Sequence, residues 1–482
     1  MRRVQIEDMR EEEDLTPNSF LELTELYDSE SVEAEVSKYR RFVVTTYIPG
    51  SKLDLPFLSS LKSYCYHNDA KLLILLSYVN KKDAVSQIPT QLKEETFVLH
   101  DLLLNDNLLI SATKVKATNV NPLTGLSRLG KRQRSVVLAS PKMMLKITPN
   151  GYKDIPHALM STGTISQPNY QLNYFNNASA TKSKADHQMS ALTFFIENEK
   201  TFHFRQLQRR VDGSVCDYGM TYAQQKVPKN EQPEALVLGD WHCGSTDPHA
   251  RKAWDKVIKD LSPKKVILHD FFDGITVNPH QKRAHFTKAK GFGKGFGSLK
   301  AEIVECVKDL AVFCKNAPEV FIVKSNHDLF LDRALEDGEF TQDKINGKYL
   351  SWLYSQCEDG DDPLEVAIRM EGEKLGVDLS NAVFLKEDES LNVEGVELGC
   401  HGHRGPNGSR GSSSNLEESY GPLVFGHTHT ISILRDAWGV GTSSLLDLGY
   451  NVGPSSWVRS ACLLHKYGAR QLLNIIHNTL KI

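Results

Sequence analysis

Three features that define other protein classes are absent from this 482-residue sequence. It has no run of about 18 apolar residues, so no transmembrane helix is expected. Its first fifteen residues carry charge but no apolar core, which argues against a secretory signal peptide. The eight cysteines are scattered without a C-x-x-C pair, which favours free thiols in a reducing compartment over disulfides or a zinc finger. We therefore expect a cytoplasmic protein with no membrane partner.

A surplus of charge of one sign is also absent. The 57 Lys and Arg nearly balance the 60 Asp and Glu, which gives a formal net charge of −3. The chain as a whole is therefore not a basic binder of polyanions, although a local basic surface is compatible with this sum. With 40% hydrophobic and 24% charged residues, the composition is typical of a globular protein. The length allows two or three domains.

Charge and hydrophobic patterns divide the chain into three regions. Residues 1–39 are acidic and predict a solvated arm with a short amphipathic helix within 20–38. Residues 40–230 contain strand-length runs such as RRFVVTTYI and ALTFFIEN and the helical segment LPFLSSLKSYCYHNDA, which predicts an α+β domain. The polar, Pro-containing stretch 226–235 predicts a boundary, after which residues 231–482 form an α/β domain.

The third region repeats one pattern, in which an apolar strand is followed by Asp, His or Asn. The five clusters are Asp240 and His242, Asp270 and Asp273, Asn326 and His327, His401 and His403, and His427 and His429. Each cluster alone is weak evidence, because one such residue after a strand usually caps a helix or stabilises a turn. Five in succession are informative, because ligands of open α/β sheets bind outside the carboxyl ends of the strands. The sequence therefore predicts that these loops meet at one site, and the two-residue spacing of Asp240 and His242 in an extended chain would place both side chains on one side.

The side chains in these clusters are hard or borderline metal ligands rather than soft ones. Four histidines, two aspartates and one asparagine exceed what a single open site needs. They suit two divalent ions about 3.5–4 Å apart that share a carboxylate, an arrangement used for in-line attack on phosphate. We therefore expect two divalent ions as cofactors, with manganese preferred and Mg, Fe, Zn or Ni as alternatives.

The ordered motifs resemble those of the calcineurin-like metallophosphoesterase family. That family's pattern runs D-x-H, G-D-x-x-D, G-N-H-D/E, H-G and G-H-x-H, and this chain carries it from Asp240 to His429 with His269 and Ser325 in place of two glycines. The resemblance implies a four-layer α/β/β/α fold with mixed sheets. The later segments SLLDL, VRSACLLH and RQLLNII would then complete its second sheet.

The resemblance also implies a role for each matching residue. Asp240, His242 and His429 would hold one metal, Asn326, His401 and His427 would hold the other, and Asp270 would bridge both. His327 would protonate the leaving oxygen, Asp273 would orient His327, and water activated between the metals would be the nucleophile. Gly274 stands where the protein-phosphatase branch has an arginine that grips the phosphate monoester. Its presence favours the branches that cleave phosphodiesters, including nucleases.

Other stretches resemble metallophosphoesterases of large tailed phages, a group that includes an early protein implicated in destroying host DNA. They are NPLTGL, FHFRQL, HGHRGPNGSRG, YNVGPSSWV and LLNII, at 121–126, 202–207, 401–411, 450–458 and 472–476. This resemblance implies a DNase that is expressed early in infection and acts in the cytoplasm of the bacterial host.

Two loops are candidates for contact with DNA, the segment 280–300 and the turn 401–411. In the first, lysines alternate with phenylalanines and glycines, which suits phosphate attraction and base stacking. In the second, two arginines offer bidentate donors to phosphate. The candidate contact residues are Lys288, Lys290, Lys294, Arg404 and Arg410. A surface loop and a tight structural turn are the alternative interpretations of these segments.

Metal-dependent hydrolysis of DNA phosphodiester bonds is therefore the expected function. A first alternative is a phosphodiesterase or phosphatase acting on nucleotides or other small molecules, which would not need the 280–300 loop. A second alternative is a non-catalytic scaffold that uses a metal site to bind DNA or a host protein, and such a scaffold would have no use for the acid His327. Residues 231–482 would then be the catalytic domain, and we expect residues 40–230 to position DNA or to mediate oligomerisation. A homo-oligomer and a host or phage protein partner are both compatible with the sequence.

Overall fold

The fold is taken from a computed structural model. It describes residues 28–77, 88–130, 134–149, 156–170, 177–224, 226–278, 297–448 and 451–482. Of the predicted acidic arm, the described part begins at Asp28 and contains one short helix whose Val32 and Val36 reach the hydrophobic core. Within the described ranges, no helix is both long enough and apolar enough to cross a bilayer.

The described residues include nine α-helices. They are α1 (Ser29–Val36), α2 (Leu55–Asn68), α3 (Asn177–Ala185), α4 (Pro248–Leu261), α5 (Leu299–Asn316), α6 (Asp328–Glu336), α7 (Gly347–Gln356), α8 (Pro363–Leu375) and α9 (Ser413–Tyr420). Asp54, Asp247 and Asp362 begin α2, α4 and α8 by accepting hydrogen bonds from backbone N–H groups, and a proline lies in the first turn of each helix. The predicted helix LPFLSSLKSYCYHNDA is confirmed as α2.

The strands of the first half of the chain begin with the predicted run RRFVVTTYI. They are β1 (Arg41–Tyr47), β2 (Ala70–Leu76), β3 (Thr96–Phe97), β4 (Leu102–Asn105), β5 (Leu108–Ile110), β6 (Ser135–Leu138), β7 (Ser140–Thr148), β8 (His157–Gly163), β9 (Ser190–Ile196), β10 (Phe202–Gln208), β11 (Val215–Asp217), β12 (Met220–Tyr222) and β13 (Lys229–Asn230). The predicted strands RRFVVTTYI and ALTFFIEN are confirmed as β1 and β9.

The strands of the second half are shorter on average. They are β14 (Ala235–Leu238), β15 (Lys265–Leu268), β16 (Glu319–Val323), β17 (Ala382–Leu385), β18 (Asn392–Val393), β19 (Val396–Glu397), β20 (Leu423–Phe425), β21 (Ser432–Leu434), β22 (Ala437–Gly439), β23 (Ser460–Leu464) and β24 (Arg470–Asn474).

Four sheets contain all of these strands. Their strand orders are β10-β9-β1-β2-β3, β11-β12-β13, β17-β16-β15-β14-β23-β24 and β18-β19-β20-β22-β21-β7-β8-β6-β5-β4. Strands β14 to β17 are parallel to one another, whereas β23 pairs antiparallel with β14. The mixed α/β class expected from the sequence is confirmed.

Strand β14 shows how the layers form, because its side chains alternate between two cores. Ala235 and Val237 pack in the core shared by the six-stranded and ten-stranded sheets. Leu236 and Leu238 pack in a second core against helices α4 and α5. On the far side of the ten-stranded sheet, Leu416 of α9 packs on β20 and β22. The second half is therefore layered as helix, sheet, sheet and helix.

The ten-stranded sheet crosses the boundary predicted at 226–235. Strand β21 pairs antiparallel with β7, and the paired residues are Ile433 with Leu145 and Leu434 with Met144. Five strands of this sheet therefore come from residues before 230. The division into an N-terminal and a catalytic region stays a prediction, but the two regions share one sheet and one hydrophobic core.

The expectation that SLLDL, VRSACLLH and RQLLNII complete the second sheet is wrong. The last two form β23 and β24, which extend the six-stranded sheet beside β14. The SLLDL segment forms only a single bridge, between Ser444 and Thr246. Just before it, the Ser443 hydroxyl donates to the Gly239 carbonyl at 2.8 Å, and side-chain bonds of this kind compete with strand pairing. Strands β4 to β8, from the first half of the chain, complete the ten-stranded sheet instead.

A buried ion pair joins the five-stranded sheet to β11 of the three-stranded sheet, and a hydrogen bond to its carboxylate adds the six-stranded sheet. Arg205 of β10 donates to both carboxylate oxygens of Asp217 at 2.6 and 2.8 Å, and each side chain is only 6% exposed. Gln471 of β24 donates to the same carboxylate at 2.9 Å. Burial raises the pKa of Asp217, but attraction to Arg205 outweighs it and lowers that pKa below its ordinary value. The ionised Asp217 carboxylate therefore bonds to the first half of the chain at Arg205 and to the second half at Gln471.

The substitution Asp217→Ala should destabilise the protein strongly, because it leaves Arg205 charged and unpaired in the interior. We expect the free energy of unfolding to fall by about 3–5 kcal/mol in urea denaturation. The control is Glu305→Ala, which breaks an exposed pair with Lys308 and should cost at most about 1 kcal/mol. Equal losses in the two variants would contradict the role of the buried pair.

Candidate metal centre

Loops from two different sheets meet at one place. Three of them follow the parallel neighbours β14, β15 and β16, and two follow β19 and β20, which pair in parallel in the ten-stranded sheet. Backbone bonds join the loops, from His242 N–H to the Asp270 carbonyl at 2.8 Å and from Gly426 N–H to the His401 carbonyl at 3.0 Å. The five clusters therefore converge as the sequence predicts.

The first group of donors contains four buried residues from three of these loops. Asp240, His242, Asp270 and His429 each offer one ligand atom, and these atoms lie within 4.8 Å of one another. His242 Nε2 and His429 Nε2 are 3.1 Å apart. His429 Nε2 is also 3.0 Å from Asp240 Oδ2. Two carboxylates and two imidazoles in this arrangement can hold one divalent ion.

The second group shares Asp270 with the first. Ligand atoms of Asp270, His401 and His427 lie within 4.8 Å of one another. The amide oxygen of Asn326 is 3.1 Å from His401 Nε2 and 2.9 Å from His427 Nδ1, so this side chain joins the group. Asp270 directs one oxygen to each group, with Oδ1 3.3 Å from His401 Nε2 and Oδ2 3.7 Å from His242 Nε2. Its position is that of a bridging carboxylate.

The donor atoms are arranged as ligands of a cation rather than as hydrogen-bond partners of one another. Asp240 Oδ2 and Asp270 Oδ1 are buried, and each lies within 3.3 Å of an imidazole nitrogen, yet neither oxygen completes a hydrogen bond. A buried carboxylate oxygen without a hydrogen bond costs free energy. Close approach without hydrogen bonding is expected for ligands arranged around a common ion. The residues present therefore fit divalent metals.

Asp273 holds His242 in the orientation that a metal ligand needs. Asp273 Oδ1 is 3.1 Å from His242 Nδ1, and the Ser245 hydroxyl donates to the other Asp273 oxygen at 2.9 Å. A carboxylate on Nδ1 fixes the hydrogen there and leaves Nε2 for a metal. Burial lowers the pKa of His242, but Asp273 and the other carboxylates raise that pKa to about 9.

His327 lies at the edge of the first group. Its Nδ1 is 2.6 Å from the backbone carbonyl oxygen of Asp273 and 3.6 Å from the Asp273 carboxylate. Burial holds the pKa of His327 below its ordinary value. The acid role of His327 and the orienting role of Asp273 stay predictions. The nearest orienting contact comes from the Asp273 carbonyl, while the carboxylate lies closer to His242.

Four candidate ligands have a left-handed backbone, which the sequence did not predict. The φ angles are +49° at His242, +42° at Asp270, +70° at His427 and +55° at His429. Such a conformation is uncommon for residues other than glycine and costs about 1–3 kcal/mol at each position. The extended chain predicted for Asp240 and His242 is therefore absent, and a left-handed turn brings His242 to the site instead.

Two glycines lie close to the donors. A Cβ at Gly426 would lie 2.3 Å from Asp240 Oδ1, so only glycine allows this loop to approach the first group. Gly274 has a φ of +66°, and a Cβ there would lie 3.0 Å from Phe330 and 3.2 Å from the His327 carbonyl. A side chain at position 274 would therefore be strained by the backbone and crowded by its neighbours.

The predicted substrate contacts are only partly described. Arg404 Nε lies 2.9 Å from Glu387, which also contacts His403 at 3.2 Å. Arg404 and Arg410 face each other across a backbone bridge, and both are exposed. A cleft opens beside this turn and reaches His401, and its lining residues include Lys324, Lys386 and Glu387. Lys288, Lys290 and Lys294 lie outside the described residues.

Two residues beside the donors were not predicted to belong to the site. Trp457 packs edge-on against His429, with the ring centroids 4.1 Å apart. The motif YNVGPSSWV that contains Trp457 was noted in the sequence, but its spacing did not indicate that Trp457 contacts a metal ligand. His269 is fully buried with its ring 5.6 Å from that of His401, and burial lowers its pKa to about 4, so it is neutral. It replaces a family glycine without joining either group.

Comparison with known proteins finds a relative in a bacteriophage. Protein A1 of Escherichia phage T5 is 27% identical over 465 residues, which is 91% of this chain and 82% of the relative. This chain is similar to a phage protein. No family model and no solved structure matches it. The similarity extends to both sides of residue 230, and the expectation of a phage relative is confirmed.

The bridging position of Asp270 predicts a specific metal-binding defect. The wild-type chain should bind two Mn²⁺ ions, and Asp270→Ala should bind neither at the concentration that saturates the wild type, because one side chain serves both groups. Equilibrium dialysis followed by elemental analysis measures this.

The matched control for this prediction is Glu302→Gln. Glu302 is a fully buried carboxylate that accepts hydrogen bonds from Ile275 and Thr276 and belongs to neither donor group. This variant should keep both ions. Retention of both ions by Asp270→Ala would show that the aspartate is not shared.

Proposed function

We propose that this protein is a two-metal phosphodiester hydrolase of the calcineurin-like type that degrades host DNA early in phage infection. The observation that carries the proposal is the place of Asp270, between two groups of buried donors that fit divalent ions. A shared carboxylate between two ions about 3.5–4 Å apart is an arrangement used for in-line displacement at phosphorus.

The architecture of the second half supports the family assignment. The layer order of helix, sheet, sheet and helix agrees with the fold that the sequence motifs imply. The candidate ligands lie in the loops that follow β14, β15, β16, β19 and β20, in the order of the family's motifs. The layers alone would not distinguish this family from other layered α/β proteins, so the proposal depends on the ligand set together with the fold.

Each residue of the site then has a chemical task. Asp240, His242, His429 and Asp270 would hold one ion, and Asn326, His401, His427 and Asp270 would hold the other. Two such ions neutralise charge on the phosphate and supply a nucleophile at neutral pH. The burial of the carboxylates keeps bulk water from the donors, which strengthens their hold on a cation.

The contact of His327 with Asp273 supports its role as an acid. A carbonyl oxygen can only accept a hydrogen bond, so the 2.6 Å contact with Asp273 keeps a hydrogen on Nδ1 of His327. The proton given to the leaving oxygen would then come from Nε2 of the doubly protonated ring, which would return to its neutral form. The carbonyl contact holds the ring in place throughout this exchange.

The choice of a DNA diester has three supports. A side chain at Gly274 would be strained and crowded, which disfavours the arginine with which related phosphatases grip a monoester. The cleft beside His401 is lined by Lys324, Lys386 and Arg404 together with carboxylates, among them Glu387, which pairs with Arg404, and Arg410 lies across the same turn. The resemblance to phage metallophosphoesterases, together with a phage relative over most of the chain, favours host DNA over a small molecule.

The proposal is tested by incubating linear and covalently closed DNA with the protein in Mn²⁺, in Mg²⁺ and in chelator. Wild type should cut DNA only when metal is present. Asp270→Ala should show no cleavage, because it loses both ions. His327→Ala should keep its ions but turn over about 10²- to 10⁴-fold more slowly, which is the usual contribution of a general acid.

The control in this assay is His249→Ala, which removes an exposed histidine on α4 and should leave the rate unchanged. Hydrolysis of a generic phosphodiester without any cleavage of DNA would move the substrate class to small molecules. Binding of DNA with no hydrolysis under any metal would replace the enzyme with a scaffold. Loss of metal from His327→Ala would contradict its role as an acid.

A further inference from the structure

Trp457 is the partly exposed tryptophan that lies beside the metal centre. Trp241, Trp254 and Trp438 are fully buried, whereas Trp352 and Trp457 are partly exposed. Its ring meets the His429 ring edge-on, at a centroid distance of 4.1 Å and an interplanar angle of 67°. An aromatic surface is therefore in direct contact with a candidate metal ligand while part of it remains open to solvent.

The segment that carries Trp457 is fixed to the loops of the metal centre. Val458 N–H donates to the His429 carbonyl at 3.0 Å, and Thr442 N–H donates to the Val458 carbonyl at 2.9 Å. The hydroxyls of Thr430 and Ser456 are 2.8 Å apart. Because residues on both sides of the indole are bonded to these loops, the ring keeps its place relative to the donors.

The described polar residues next to the indole in sequence are neutral or paired. The nearest arginine in sequence, Arg459, is 9% exposed and is held by Asp247 and Asn478, each at 2.8 Å. Ser455 and Ser456 contribute only hydroxyls. The described segment 455–459 therefore presents hydroxyl groups, a paired arginine and the partly exposed indole beside the metal centre.

We propose that Trp457 forms a nucleobase subsite, in which the base of a nucleotide next to the scissile phosphate stacks on the indole. The proposal rests on the proposed function, because the phosphate would lie at the metal ligands that the ring touches. Aromatic side chains bind bases of any sequence through their π faces. A base can reach the indole only when it is unstacked, so the subsite favours single-stranded or frayed DNA over intact duplex.

The test compares two dye-labelled oligomers of equal length, oligothymidylate and an abasic oligomer with the same phosphate backbone. Fluorescence anisotropy in Mn²⁺ gives their dissociation constants, with His327→Ala added to every protein, including the one that keeps Trp457, so that cleavage is slow. Wild type should bind oligothymidylate more tightly than the abasic oligomer, by between about 5-fold and about 150-fold. Trp457→Ala should bring this ratio close to one, and Trp457→Phe, which keeps an aromatic ring, should retain most of it.

The control variant is Trp352→Ala, which removes another partly buried tryptophan, one that packs on Tyr349 and Lys374. It should leave the binding ratio unchanged. Equal binding of the two oligomers by wild type, or a ratio that survives Trp457→Ala, would overturn the proposal. Weaker binding of both oligomers by Trp457→Ala at an unchanged ratio would do the same, since it would show that the indole only supports His429.

The same oligomers separate this proposal from the proposed function. Cleavage assays in Mn²⁺ should show a lower KM for oligothymidylate than for the abasic oligomer in wild type, and this difference should disappear in Trp457→Ala. A base-dependent binding ratio without cleavage would leave the subsite in place and reject the nuclease. Cleavage of both oligomers without any base dependence would leave the nuclease in place and reject the subsite.

Discussion

The structure depends on a constraint at its centre, which is that two carboxylates are buried side by side. Asp240 and Asp270 are at most 1% exposed, and each has a buried oxygen that completes no hydrogen bond. Removing such charges from water costs several kcal/mol per ion unless an opposite charge compensates. Imidazole nitrogens of His401 and His429 lie within 3.3 Å of these oxygens, and the donor set fits divalent cations that would supply the compensation. The close approach at Gly426 and the left-handed backbone at the ligands serve this packing.

The donor side chains lie in loops that follow strands of two different sheets. Parallel strands of the six-stranded sheet carry Asp240, Asp270 and Asn326, whereas β19 and β20 of the ten-stranded sheet lead to His401 and His427. The second sheet continues through β21 into β7 and the strands beyond it. Residues before 230 therefore belong to the sheet that leads to three of the seven candidate ligands, which are His401, His427 and His429.

The ligand set could be predicted from sequence because it depends on local order. A polar residue at the end of an apolar strand is visible in the chain, and parallel pairing brings such ends together. The pairing of β21 with β7 could not be predicted, because two residue pairs joining positions almost 290 apart leave no local pattern. The left-handed backbone at His242 and His429 was missed because it arises from tertiary packing. The structures of SLLDL and VRSACLLH were missed because strand pairing beside β14 joins segments that are far apart in the sequence.

The most direct test of the account is electron paramagnetic resonance of the protein loaded with Mn²⁺. Two ions that share Asp270 at about 3.5–4 Å should couple magnetically and give the spectrum of an exchange-coupled pair. The account predicts this spectrum at full loading, with two ions per chain. A spectrum of isolated Mn²⁺ at full loading, or a single ion per chain, would contradict the shared carboxylate.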